Sequence, residues 1–290
     1  MSSDTKRWGL YIIWVLFCVA LFCKPLHRLF DLALNDESAS HILLIPLISA
    51  FLLYSERKPL ESNAPADYVW ALFFSIAAIL STVLCLREIP SGSKEQLAVY
   101  ILALIFLLVA GFTAILGRHT AKNSYFPLAF LLFAIPLPDS ILNRAIYFLQ
   151  AGSAEVASFL FELSGAPVLR EGFIFRLPKV NIEVARECSG IRSSIALLIL
   201  ALLVSHFAFR PFWKKLVFLF AGLLIMLIKN GVRIATLTLL ANYVSPAFLT
   251  GKLHHQGGIV FFLIGLGLLV PVFWLLQRNE PKMAHAKTAS

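Results

Sequence analysis

Of the 290 residues, 59% are hydrophobic and only 14% charged, against an apolar share of roughly 45–50% in soluble domains; with a mean hydropathy of +0.82, a soluble globular chain is excluded. The formal net charge of +9 would suggest nucleic acid in a soluble protein, but these bases stand in short loops between apolar runs, as membrane topology requires, and no nucleic-acid motif is present. The composition is that of a polytopic membrane protein.

Residues 8–23 read as the first span. Lys6 and Arg7 before it resemble the start of a signal peptide, but no small-residue cleavage site follows, so a retained span is expected. A mixed loop carries Lys24, Arg28, Asp31, Asp36 and Glu37. Residues 41–54 make a short second span ending at Glu56, Arg57 and Lys58, and 69–86 and 97–116 the third and fourth. Arg118, His119 and Lys122 follow, then a short fifth span over 125–137 that ends in Pro-Leu-Pro at 136–138. Cys18, Cys23 and Cys85 fall in apolar segments at no metal or disulfide spacing and read as buried small hydrophobes.

Residues 141–163 are long enough to cross about 30 Å but carry Arg144, Gln150, Glu155 and Glu162, with Asp139 or Ser140 as a cap. That mixed polarity suits a helix at the interface, or tucked against other helices, better than one facing lipid. Residues 172–188 then alternate β-branched and aromatic with polar residues around a break at Pro178 and Lys179, which predicts a short β-hairpin.

The hairpin leads into ECSGIRSS, Glu187 to Ser194, a polar island that holds the one cysteine with polar neighbours. An apolar helix opens after Ser189 and Gly190, so Cys188 lies at or just before a helix N-terminus. Free N–H groups and the helix dipole there favour a thiolate, and Arg192 stands one turn further on, which makes Cys188 a candidate nucleophile. The same pattern also fits a small residue at a helix start with Arg192 as an interfacial anchor.

Residues 190–209 span. Arg210, Lys214 and Lys215 precede a helix over about 216–243, longer than the roughly 20 residues a crossing needs. Within it Lys229 and Arg233 are four apart and Asn230 and Arg233 three apart, so one face carries a polar cluster. A charge at such depth costs on the order of 2.5–3.5 kcal/mol, which calls for a partner or a purpose. Reaching the interface, or pairing with Glu183 or Glu187, would meet that need without any catalytic role. His254 and His255 stand at the mouth of the last span, 257–276, and suit proton transfer near neutral pH, although adjacent loop histidines need no such role. The boundaries imply one integral membrane domain over 1–278 and a short basic tail over 279–290.

Loop charge tests the topology. If 141–163 does not cross, eight spans place both ends in the cytoplasm, with twelve Lys and Arg inside against five in the short outer loops. If it crosses, the bias vanishes. The eight-span arrangement puts Cys188, the far half of 216–243 and the two histidines on the outer side.

These pieces together resemble an exosortase, within the exosortase/archaeosortase superfamily of membrane cysteine transpeptidases. The resemblance is carried by SHILLIPLISAFLLYSER at 40–57, FAIPLPDS at 133–140, GAPVLREGFIFRLPKVNIEVARECSGIRSS at 165–194, NGVRI at 230–234 and HHQGGIVFF at 254–262. It implies an all-α polytopic membrane protein of about eight transmembrane helices, with an interfacial helix and a short β-hairpin before the catalytic Cys. The family's Cys, Arg and His correspond to Cys188, Arg233 and His254, since Gly258 and Phe262 stand four and eight residues after His254 but not after His255. Archaeal relatives are similar but carry Arg at the His position, so His254 favours the bacterial branch. Some members carry a soluble domain after the last span, and none is expected after this one.

The resemblance further implies a thiol protease of the bacterial inner membrane, its site facing the periplasm. Its partners would be exported proteins bearing a Pro-Glu-Pro-type (PEP-CTERM) motif, a transmembrane helix and basic residues, with transfer to an acceptor. Arg192, Asn230 and His255 are supporting candidates. No cofactor or metal is implied, because His, Cys and carboxylates show no ligand spacing. Two other classes fit the spans: a transporter or channel subunit using Lys229, Asn230 and Arg233 as an ion path, although no internal repeat is visible, and a structural partner in envelope assembly. The first needs the intramembrane bases and not Cys188; the second needs none of the three catalytic candidates.

Overall fold

Apolar runs become helices in the computed structural model of the protein, which describes residues 3–56, 66–186, 190–249 and 252–278. Among these residues six helical segments are long and apolar enough to cross a membrane, and eight if each of two sharply bent pairs counts as one crossing. The protein is an all-α polytopic membrane protein with one small sheet. It divides into two compact units after Leu142.

In the first unit, α1 (Ser3–Leu21) gives way through a 77° bend to α2 (Cys23–Asn35). The expected loop over 24–37 is therefore largely a helix. Pro25 has no N–H to return to the Leu21 carbonyl, which breaks the first span. The next segment winds on because Leu29 and Ala33 bury one face while Lys24, Arg28 and Asp31 take the other. A 3-10 stretch (Glu37–Leu44) leads into α3 (Ile45–Ser55), and α4 (Tyr68–Glu88) and α5 (Lys94–Leu116) form a long pair. Arg28 ties α2 to the loop before α5 by donating to the Gly92 carbonyl at 2.7 Å.

The fifth span does not form as one straight helix. Short α6 (Arg118–Asn123) and α7 (Tyr125–Phe130) end in a 3-10 turn (Leu131–Ala134), bent by 92° from α8 (Asp139–Ser164). Pro136 and Pro138 remove two N–H groups at that corner. Of the three apolar-segment cysteines, Cys18 and Cys85 are buried as expected, but Cys23 is exposed at the start of α2.

The second unit takes α8 from Asn143 on and adds the sheet and three long helices. The expected hairpin is present as β2 (Ile174–Arg176) and β3 (Asn181–Glu183), and β1 (Leu169–Glu171) extends it to three antiparallel strands. The extra strand returns through Gly172, whose φ of +63° suits glycine alone at little cost. Then come α9 (Ile191–Ala208), α10 (Phe212–Tyr243) and α11 (Lys252–Gln277). At about 1.5 Å per residue, the 32 residues of α10 outrun a 30 Å hydrocarbon core. Residues 279–290, read as the basic tail, lie outside the described residues.

Candidate functional site

The chain reaches the polar island from a sheet anchored on two helices. Phe175, Leu177 and Val184 are buried against Ala154, Ala157 and Phe161 of α8 and Ile234 and Ala235 of α10. Burying such side chains stabilises by about 1.5–3 kcal/mol each, so the sheet is a packed element and not a loose loop. Polar ties add direction. Gln150 donates to the Val184 carbonyl at 2.7 Å, Asn242 accepts from the Lys179 N–H at 3.1 Å, and Arg186 donates to Asn143 Oδ1. The last residues before the island are thereby fixed to α8.

Beyond the island the chain is fixed again. Gly190 caps α9 with φ +69°, a conformation that other residues adopt only with strain. A Cβ there would also stand 3.0 Å from Asn230 Oδ1. Lys229 Nζ donates to Ser193 Oγ at 2.5 Å, and that hydroxyl donates to the Gly190 carbonyl at 3.0 Å. Asn230 Nδ2 donates to Ser153 Oγ of α8 at 3.0 Å. Lys229 and Asn230 are each only 2% exposed, and the neighbouring Ser194 hydroxyl is enclosed without a hydrogen-bond partner. The Lys229 ammonium, the Ser153 and Ser193 hydroxyls and the Asn230 amide thus cluster where three helices meet.

Helix registers place the other candidates. Lys214 Nζ donates to the Leu276 carbonyl at 2.9 Å, and a Cβ on Gly265 would stand 3.2 Å from Lys229 Cδ, so α10 and α11 are antiparallel. Gly222 against Ala201 and Lys229 against Ser193 make α9 and α10 antiparallel too. By contrast Gly152 meets Leu227 and Val156 meets Gly231, so α8 runs alongside α10 in the same direction. The helix over 141–163 is thus tucked against another helix, as its mixed polarity suggested. The head of α9, the far half of α10 and the start of α11 share one end of the bundle.

Among the sequence candidates, Asn230 is buried in this cluster, Arg233 is half-buried one turn further along α10, and Arg192 is exposed on the first turn of α9. His254 and His255 are described by backbone only, in the first turn of α11. Counting at 1.5 Å per residue from Gly265, the backbone of His254 lies about 10 Å beyond that of Arg233 along the bundle. Cys188, with Glu187 and Ser189, lies outside the described residues. Sequence reading missed the parts of Ser153 and Ser193. Ser193 stands inside the polar island, and Ser153 in a small-residue run, Ala151 to Ala154, of the kind that lets helices approach closely.

No curated protein and no solved structure matches the chain. A family model described as transmembrane exosortase matches residues 33–271. That stretch takes in both units, and within it the sheet, the island and the three-helix bundle are continuous. The chain belongs to the transmembrane exosortase family.

Proposed function

We propose that this exosortase is a cysteine peptidase and transpeptidase of the bacterial inner membrane that cleaves C-terminal sorting signals of exported proteins at its periplasmic face. What carries the reading is that the matched stretch, 33–271, contains Cys188, Arg233 and His254 in the family's order. The support from geometry is the rigid seating of the chain on both sides of the island, at Arg186 and at Gly190. A nucleophile needs such positioning to hold a near-attack distance.

The roles follow from chemistry. The Cys188 thiolate attacks the scissile carbonyl, the C–N bond breaks, and the carboxyl end of the exported protein is held as a thioester. His254, or His255 beside it, keeps the thiol deprotonated and gives that proton to the leaving amine. An acceptor amine then attacks the thioester, loses its proton to the histidine and releases the thiolate. Arg233 stabilises the tetrahedral oxyanion or holds an acidic residue of the sorting motif, and Arg192 and Asn230 support the substrate or the thiolate.

An ion path would want its polar side chains accessible along a pore. Lys229 and Asn230 are instead buried and bonded to Ser193 and Ser153, which favours the peptidase. The test is processing in cells of a reporter carrying a Pro-Glu-Pro-type C-terminal sorting helix. Cys188→Ala and Cys188→Ser should abolish cleavage at matched membrane levels, while Cys18→Ala, altering a buried thiol of α1, should leave it intact. Cleavage by Cys188→Ala would remove the thiol mechanism.

A further inference from the structure

The first unit carries a second polar–apolar construction unconnected with the peptidase reading. A cavity of about 380 Å³ opens between α4, α5 and the α6–α7 segment, within the size range of small-molecule sites. It is graded along its length. Arg118 and Lys122 of α6 line one end, and Thr113 follows at the C-terminal end of α5. Phe106 and Ile105, about 12 Å further down α5 at 1.5 Å per residue, face Leu132 at the other end, where the lining is all hydrocarbon. Trp70, Tyr125 and Leu132 are 40%, 60% and 47% exposed, so the slot opens sideways along its whole length.

The two cations keep exposed surface at the slot. Arg118 Nε is 3.9 Å from the Asp67 carboxylate and its side chain is half exposed, while that carboxylate already accepts the Trp70 N–H at 3.2 Å. The guanidinium lies over the Trp70 ring at 5.7 Å, and Lys122 is exposed one turn along α6. Among the described residues, two positive groups against one occupied carboxylate leave the end of the slot basic. A neutral hydrocarbon would need no cations there, and a free anion would need no apolar trough.

We propose that this slot holds an anionic phospholipid, one acyl chain lying along the apolar lining and the phosphate between Arg118 and Lys122. In the eight-span topology this end is cytoplasmic, where the leaflet's anionic lipids attract basic groups.

Native mass spectrometry of the detergent-purified full chain tests it, with phosphatidylglycerol and phosphatidylcholine of equal chain length and with glycerol 1-phosphate as the headgroup alone. The wild type should take phosphatidylglycerol with roughly thirtyfold preference, given about 1 kcal/mol for each of the two cations near a lipid headgroup. Arg118→Gln/Lys122→Gln should lose that preference and keep phosphatidylcholine binding, and Arg118→Lys should retain it. Ala129→Phe, filling the trough, should weaken both lipids. Equal binding of the two lipids, or a preference unchanged in the double Gln variant, overturns the proposal. So does competition by glycerol phosphate as strong as by the lipid, which marks a free-phosphate site. A change in protomer number on Ala129→Phe, which marks an interface between copies, overturns it as well.

Discussion

Lys229 shows how one side chain can organise a turn it does not belong to. Its ammonium is enclosed with Ser193 as its hydroxyl partner, and Ser193 in turn holds the carbonyl of Gly190, two residues after Cys188. A hydrogen bond to a charged group contributes about 1.5–3 kcal/mol. Lys229→Met should therefore insert and accumulate, because it removes a buried charge, yet lose about tenfold or more in processing rate as the turn loosens. Wild-type rates from Lys229→Met would show that the turn holds without it. A second residue-scale case lies in the first unit. Burial raises the Asp36 carboxyl, but bonds from Lys94 at 2.8 Å and from Ser38 outweigh burial and hold it below the usual carboxylate range. A lowered folded-state value stabilises above the ordinary Asp range and is lost as pH falls through the lowered value. The stabilities of wild type and Asp36→Asn, read from thermal unfolding, should differ at neutral pH by up to about 1 kcal/mol for such a partly exposed pair. The gap should close on acidification.

At the scale of elements, the contact between α8 and α10 depends on small residues. A Cβ on Gly231 would stand 2.5 Å from Val156 and 3.0 Å from the Ser153 carbonyl, so neither helix can keep its place if one is added. Gly231→Ala should lower stability by about 1–3 kcal/mol, read as a lower thermal midpoint in detergent. Gly231→Ala/Val156→Ala should recover part of it, since neighbouring substitutions couple. Elements also mark where sequence reading stopped. The long spans were legible because 18 or more apolar residues admit few structures in lipid. The helix over 23–35 was not, because its four-residue charged periodicity looks like a loop unless the buried face of Leu29 and Ala33 is seen. The first strand escaped for a related reason. Three residues, two of them charged, carry no alternation, and Leu169–Glu171 became a strand only through its partner Ile174–Arg176.

For the whole molecule, sidedness is the property to test. On a cysteine-free background, Ser245→Cys, just past the end of α10, should react with a membrane-impermeant maleimide from outside the inner membrane. A cytoplasmic reporter fused after Arg278 should be active. Labelling of Ser245→Cys only after lysis would reverse the topology drawn from loop charge. The membrane class, the number of crossings to within the bent pairs, and the residues that mark the family were all decided by the sequence alone. Each of these depends on local runs: hydrophobic length, loop charge, and short motifs each readable within its own stretch. The tertiary structure alone decided which polar groups share the buried cluster. Ser153, Ser193 and Lys229 are 40 and 36 residues apart in turn, and no local pattern relates them. They meet because antiparallel α9 and α10, with α8 alongside, bring their registers to one level, and because a charge enclosed among hydrocarbon is stable only where packing has delivered partners to it.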